Sequence, residues 1–254
     1  MQSILTFFLF ALPLCAFAQA EPQPEKPKTA AKILPAWCVD AGYGAHLTAG
    51  DMAARYGAAN YLHGGVHYKT NTLWFFGVDG GYFFGNEWRE DPLSILRTPD
   101  GSILGKDREY ARISMDERGF LIGALVGKII PVSKKIPESG IRTSLTVGYM
   151  QHGLRIQDDN QQVPALAENY KLGYDRLTGG LQFTEFLGYQ FVDRKGFINF
   201  FGGLESTQGF TKSLRIWQTD LRTNDTRSRL DVLLTARVGI TLVIRKRKPN
   251  EIYY

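Results

Sequence analysis

The feature that most narrows the fold is a strict two-residue rhythm near the C-terminus. From Leu230 to Ile244 the even positions are Leu230, Val232, Leu234, Ala236, Val238, Ile240, Leu242 and Ile244, whereas the odd positions include Asp231, Thr235, Arg237, Gly239 and Thr241. Side chains alternate between faces along a strand, so this segment reads as a β-strand with one wholly apolar face and one mixed face. The pattern returns at 37–47, where Trp37, Val39, Ala41, Tyr43, Ala45 and Leu47 oppose Asp40, Gly42, Gly44 and His46. At 74–84, Trp74, Phe76, Val78, Tyr82 and Phe84 oppose Asp79. Strands are also expected near 55–68, 119–130, 141–152, 176–191 and 197–207, which makes eight.

The N-terminus sets the compartment. Residues 4–17 (ILTFFLFALPLCAF) carry no charge and end at Ala16-Phe17-Ala18, the small-x-small pattern of a signal peptidase site, so 1–18 is read as a signal peptide. Residues 19–34, rich in Pro, Lys, Glu and Ala, read as a flexible periplasmic leader. With the signal removed, Cys38 is the one cysteine left, which excludes a disulfide within the chain. No pattern of metal ligands or cofactor-binding residues stands out. No run after residue 18 approaches the roughly twenty apolar residues of a spanning helix. The net charge of +5 would suit nucleic acid in a cytosolic protein, but export removes that partner. Outer-membrane lipids or lipopolysaccharide phosphates suit the surplus Lys and Arg instead.

An exported chain of amphipathic strands is either a soluble barrel or sandwich with an apolar interior, or a membrane barrel with an apolar exterior. Strand eight favours the second, because a soluble fold would expose Asp231 and Arg237 while its apolar stripe filled a core the other strands fill poorly. Connection lengths agree. Short links are read at Lys69–Thr72, 132–140 and 193–196, and long polar ones at 86–111, 157–173 and 210–229, with a shorter first loop at 48–53. Bacterial barrels keep short turns on the periplasmic side and long loops outside. Aromatic residues form two bands on the lipid face: Trp37, Tyr68, Trp74, Tyr189 and Phe191 at the periplasmic ends, and Tyr56, Tyr82, Phe84 and Tyr149 at the outer ends. The expected fold is therefore an all-β antiparallel transmembrane barrel of about eight strands over 35–247, followed by a periplasmic tail at 248–254.

Within the last strand, Arg237-Val238-Gly239-Ile240-Thr241-Leu242-Val243-Ile244 resembles the β-signal read by the outer-membrane insertion machinery. Arg237, Gly239, Leu242 and Ile244 carry that likeness. The tail Arg245–Tyr254 departs from it, since many such proteins stop at the signal. Over 35–247 the chain resembles small eight-stranded outer-membrane barrels of the OmpX and OmpA-transmembrane type, and more loosely small Bacteroidota barrels. The resemblance is architectural and carries no active site. It implies residence in the bacterial outer membrane, contact with the insertion machinery during biogenesis, and membership of an envelope protein complex as one option.

Strand parity assigns Asp40, His46, Arg55, Tyr61, His63, His67, Asp79, Lys128, Arg142, Glu205, Asp231 and Arg237 to the lumen. An eight-stranded barrel is just wide enough for side chains to fill. Charges of both signs in that space must pair. The expected protein is thus a non-enzymatic structural or partner-binding barrel, with a narrow channel or a lipid-modifying hydrolase as alternatives. His46 with Thr48, and His152, are the candidate catalytic positions. The outer loops carry Trp88, Arg89, Glu90 and Asp91, and Trp217 among Arg215, Arg222 and Arg227, which read either as a binding surface or as solvated local ion pairs. In strand six the apolar parity Leu177, Gly179, Leu181, Phe183, Leu187, Tyr189, Phe191 is broken by Glu185. Either a local bulge turns it away or it faces a protein partner.

Overall fold

A computed structural model describes residues 33–244 except 107, 134, 160, 168 and 193–197. The expected signal peptide, nearly all of the leader, the link at 193–196 and the C-terminal tail lie outside the described residues. The strands are β1 (Ala36–Gly50), β2 (Ala58–Lys69), β3 (Trp74–Gly85), β4 (Ile113–Pro131), β5 (Gly140–Asp158), β6 (Thr178–Val192), β7 (Ile198–Ser213) and β8 (Ser228–Ile244). They join in sequence order into one closed barrel. β8 closes on β1 by an antiparallel ladder from Trp37↔Ile244 to Gly50↔Asp231, so no strand edge is left open.

The alternation sets which way each side chain points. In β8 Leu230, Leu234, Val238, Leu242 and Ile244 lie on the outer surface, while Asp231, Thr235, Arg237 and Thr241 are buried. β1, β2, β3, β5 and β6 follow the same rule: Trp37, Leu62, Phe76, Leu145 and Leu187 face out, and Asp40, His63, Asp79, Thr146 and Gln182 face in. Inward aromatic rings find room over inward glycines on neighbouring strands. Phe83 lies over Gly119, Phe75 over Gly127 and Phe201 over Gly239, where a β-carbon would collide with the ring.

Three expectations about strand ends change. β7 runs on to Ser213, into the link expected at 210–229. β4 and β5 are longer than the sequence pattern suggested, reaching Ile113 and Asp158, because their outer ends pack Met115, Leu154 and Ile156 beneath the loops. β2 is shorter, and Tyr56 is not part of the outer aromatic band. The 3₁₀ turn Asp51–Ala54 captures Arg55 and Tyr56 through amide bonds to the Met52 carbonyl (2.9 and 3.0 Å), so the strand begins only at Ala58. Tyr56 is buried in the core below the loops.

Candidate functional site

The interior is a stack of polar layers built by the inward parity of the strands. At the periplasmic end Asp40 of β1 accepts from Arg142 Nη2 of β5 (2.5 Å) and from the Thr241 hydroxyl of β8 (2.5 Å), with His67 Nδ1 at 3.4 Å. Arg142 lies over Phe75 and Phe201, its guanidinium 4.9 and 4.7 Å from the ring centres. Lys69 donates to Glu138 at 2.7 Å on the same side. In the middle layer Arg237 Nη2 sits 3.0 Å from Glu205 and 3.9 Å from Asp79, which also bonds His63. The Arg237 guanidinium stacks on Phe186 at 4.4 Å. In the outer layer Asp231 bonds His152 Nε2 (2.9 Å) and accepts from Thr211 (2.5 Å). Stacking and pairing together offset the desolvation of charges in so narrow a space.

Above this stack the outer connections are tied to one another. Arg176, just before β6, donates to Glu90 of the second loop (2.9 and 2.7 Å) and to Asp220 of the fourth (2.8 and 2.5 Å). Arg55 of the first loop pairs with Glu90 (3.0 Å) and lies 3.8 Å from Asp225, which Arg229 and Arg227 also engage. Burial works against charge on Arg176, but the two carboxylates outweigh it and raise its pKa above the ordinary arginine value. Burial likewise pushes the Asp225 carboxyl up, yet hydrogen bonds from Arg227 and Arg229 prevail and hold it at about 2. Below the clamp Met52, Leu93, Ile103, Val163, Leu166 and Tyr174 join Met115, Leu154 and Ile156 in an apolar plug. Each of the four outer connections contributes to this lid.

Most of the lumen residues expected from parity are buried and face one another: Asp40, His46, His63, His67, Asp79, Glu205, Asp231 and Arg237 inside the strands, and Arg55 in the lid. Lys128 is a correction. In β4 the odd positions Leu121, Leu125 and Ile129 are buried, so Lys128 shares the outer face with Phe120 and Ile122. There its ammonium lies 5.0 Å from the Trp74 ring centre at the periplasmic aromatic band, where a lysine stem can cover apolar surface while its head stays wet.

The loop charges also differ from a set of purely local pairs. Glu90 belongs to the clamp and Arg215 reaches across to Asp175 at 2.5 Å, whereas Arg227 keeps its neighbour Asp225, at 3.2 Å. Arg89 donates to the Ala53 carbonyl at 2.7 Å and Asp91 pairs with Arg97 at 2.5 Å. Trp88 and Trp217 stay exposed. Glu117, which the sequence reading passed over, is buried in the outer half of the lumen with no hydrogen bond to either oxygen among the described residues. Its place in the polar run Ser114–Arg118 hid a strand whose inward parity would have marked it.

The candidate catalytic positions lack the order that hydrolysis needs, in which a hydroxyl or thiol donates to a histidine that a third group orients. The Thr48 hydroxyl donates to the Tyr56 carbonyl at 2.6 Å, and neither ring nitrogen of His46 has a hydrogen-bond partner among the described residues. His152 does meet a carboxylate, but its Nδ1 meets no hydroxyl. Among the described residues, no group of three His, Cys, Asp or Glu side chains is placed to hold a metal ion.

A charged interior inside a mainly apolar exterior is the polarity of a membrane-spanning β-barrel. No protein-family model matches the sequence, and no curated protein matches it. Among solved structures the chain is similar to Ail, the attachment invasion locus protein of Yersinia pestis, in complex with the heparin analogue sucrose octasulfate, at 10% identity over 82% of this chain and 99% of that one, with a TM-score of 0.45. It is also similar to Neisserial surface protein A, at 10% identity over 81% and 96% with a TM-score of 0.42. The outer membrane protein OprG from Pseudomonas aeruginosa is similar at 11% identity over 83% and 97%, with a TM-score of 0.39. At such identities the likeness concerns the fold alone.

Proposed function

We propose that this chain is a non-catalytic, non-conducting barrel of the bacterial outer membrane that serves as a structural or partner-binding component of the envelope. The observation that carries the reading is the series of paired buried charges from Asp40 and Arg142 at one end, through Arg237 and Glu205, to the clamp of Arg55, Glu90, Arg176, Asp220 and Asp225 at the other. A pore needs a wet path, and an enzyme of the membrane surface needs an accessible nucleophile. Here the charges serve one another instead. What remains available is the outside of the molecule: the apolar wall, which suits lipid, and the outer loops, held rigid enough to present a fixed surface to an envelope protein or to lipopolysaccharide. A role as an accessory of a secretion or assembly machine is one form of this activity. The β8 residues Arg237, Gly239, Leu242 and Ile244 are assigned to recognition by the insertion machinery during biogenesis.

Labelling of epitope tags in intact cells tests the proposal. A tag between Asp100 and Gly101 is expected to be labelled on intact cells that also yield a heat-modifiable barrel in the outer-membrane fraction. A tag in the 132–139 turn is expected to stay dark until the outer membrane is opened. A soluble product, or the reverse labelling, overturns the reading.

A further inference from the structure

Glu185 is not turned away by a bulge. The β5–β6 ladder runs without interruption from Gly140↔Gln190 to His152↔Thr178, and the β6–β7 ladder from Thr178↔Ser213 to Val192↔Asn199. Glu185 therefore keeps the outward parity of Leu181, Leu187 and Tyr189, and it sits midway along its strand. Its register partner on β7 is Ser206, also outward, and Gln208 Nε2 donates to Ser206 Oγ at 2.8 Å on the same face. Between the aromatic bands the other strands turn apolar side chains or glycine outward. Lys128 and Thr143 are in register with Trp74 at the periplasmic band, and the outward Asn60 and Gln151 are in register with Phe84 and, through Phe120, with Tyr82 at the outer band. The polar break in the lipid face is thus confined to β6 and β7.

A second observation on the same flank points the same way. The outward parity of β7 runs through Phe210 to Lys212, and just past the strand's end at Ser213 stand Leu214 and Ile216, which are large, apolar and exposed, Ile216 at 84%. Leu214 lies against Tyr149 over Gly179, on the outer wall. With a strand rise of ~3.3 Å and a tilt of ~40°, each residue climbs ~2.5 Å, so Ser213, the last residue of β7, lies ~18 Å above the level of Ser206. That already exceeds the half-height, ~12 Å, of the apolar band of such barrels. Lys212 is placed at headgroup level, and the apolar residues stand beyond it. This flank is polar where lipid should be and apolar where water should be, an arrangement that suits protein on both counts.

We infer that β6 and β7 form the contact face of a symmetric dimer with a second copy of this chain. A two-fold axis along the membrane normal, passing between β6 and β7, preserves depth and sets β6 of one copy against β7 of the other. Glu185 and Ser206 are register partners on adjacent strands, so at a tilt of ~40° they differ in depth by only ~3 Å. The rotation accordingly brings the Glu185 carboxylate of each copy to the Ser206 hydroxyl and Gln208 amide of the other. The acceptor and its donors are already offset by one strand, as a self-complementary interface requires, and Leu214, Ile216 and Trp217 meet their copies above the membrane. The inference rests on reading the chain as a partner-binding membrane barrel.

To test it, two differently tagged copies are expressed together, with a photocrosslinking residue at Leu187 or Leu204 on the proposed face, or at Val238 on β8 as the control. The expected result is a covalent adduct containing both tags from Leu187 and Leu204, several-fold above that from Val238. Glu185→Leu is expected to lower that yield several-fold while leaving the heat-modifiable barrel intact. Adducts with lipid alone or with a different protein, equal yield from Val238, or a yield indifferent to Glu185→Leu would overturn the dimer. Loss of the heat-modifiable, membrane-fractionating species in the parent protein would instead overturn the reading beneath it.

Discussion

Arg237 is the residue whose removal tests the filled lumen most sharply. Its guanidinium stands 3.0 Å from Glu205, 3.9 Å from Asp79 and 4.4 Å from the centre of the Phe186 ring, all in the buried middle of the barrel. Asp79 retains His63 when the arginine is lost, but among the described residues no other cation is paired with Glu205. Breaking a buried pair from one side costs about 3–5 kcal/mol, because the remaining charge is left without compensation. Arg237→Met, which keeps much of the side-chain volume, is expected to cost that amount, or about two to three and a half powers of ten in the unfolding equilibrium. Replacing both partners removes the orphaned charge, so Arg237→Met/Glu205→Gln is expected to recover at least about 2 kcal/mol relative to the sum of the single variants. Equilibrium urea unfolding in lipid vesicles, followed by tryptophan fluorescence with heat-modifiable mobility as a second probe, gives both quantities. A cost below about 1 kcal/mol for the single variant, or simple additivity in the double, would refute the account of the middle layer.

Other consequences follow from the lid and the last strand. Arg176→Ala removes the side chain that joins the second and fourth loops, and limited proteolysis of intact cells is expected to cut those loops much faster while leaving the barrel embedded. Because the folded-state pKa of Asp225 is depressed to about 2, its contribution is fully present above the unfolded value of about 3.9 and is lost as pH falls through the folded value. Protease resistance of the loops should therefore hold from neutral pH to about 5 and decline between about 4 and 2, with pepsin as the probe at the acid end. Resistance unchanged down to pH 2 would remove Asp225 from the clamp. In β8, Leu242→Asp is expected to block membrane assembly but not export, and a normal yield of heat-modifiable barrel would contradict the insertion signal. Gly239→Asp should impair assembly for an additional reason, since the Phe201 ring fills the space over Gly239.

The strand order and most of the interior were legible because a closed barrel obeys a single rule along each strand. Asp40, Asp79, Asp231 and Arg237 could be placed inside from parity alone. Lys128 escaped because the sequence offered no clean alternation in its strand, and a lysine at the rim can face outward if its head reaches water. Tyr56 escaped because a short 3₁₀ turn, stabilised by amide bonds within the first loop, ended the period just before it. The clamp was illegible for a different reason. Arg176 and Glu90 are separated by 86 residues, and no periodicity specifies which arginine in one loop meets which carboxylate in another. The glycines were visible, but their partnership with rings on adjacent strands depends on register. Glu185 is the opposite case: the sequence displayed the misfit, and the uninterrupted ladders on both sides of β6 remove the bulge from its two explanations.

The most direct test of the closed-barrel account is single-channel recording of the purified, refolded protein in planar bilayers at neutral pH. The stack from Lys69 and Glu138, through Arg142, Arg237 and Asp231, to the clamped lid sets paired charged side chains at successive levels along the axis. The account predicts a flat baseline with no stable openings, both in the parent protein and in Arg176→Ala, where the lid alone is loosened. Long-lived openings of porin size in the parent protein would contradict it.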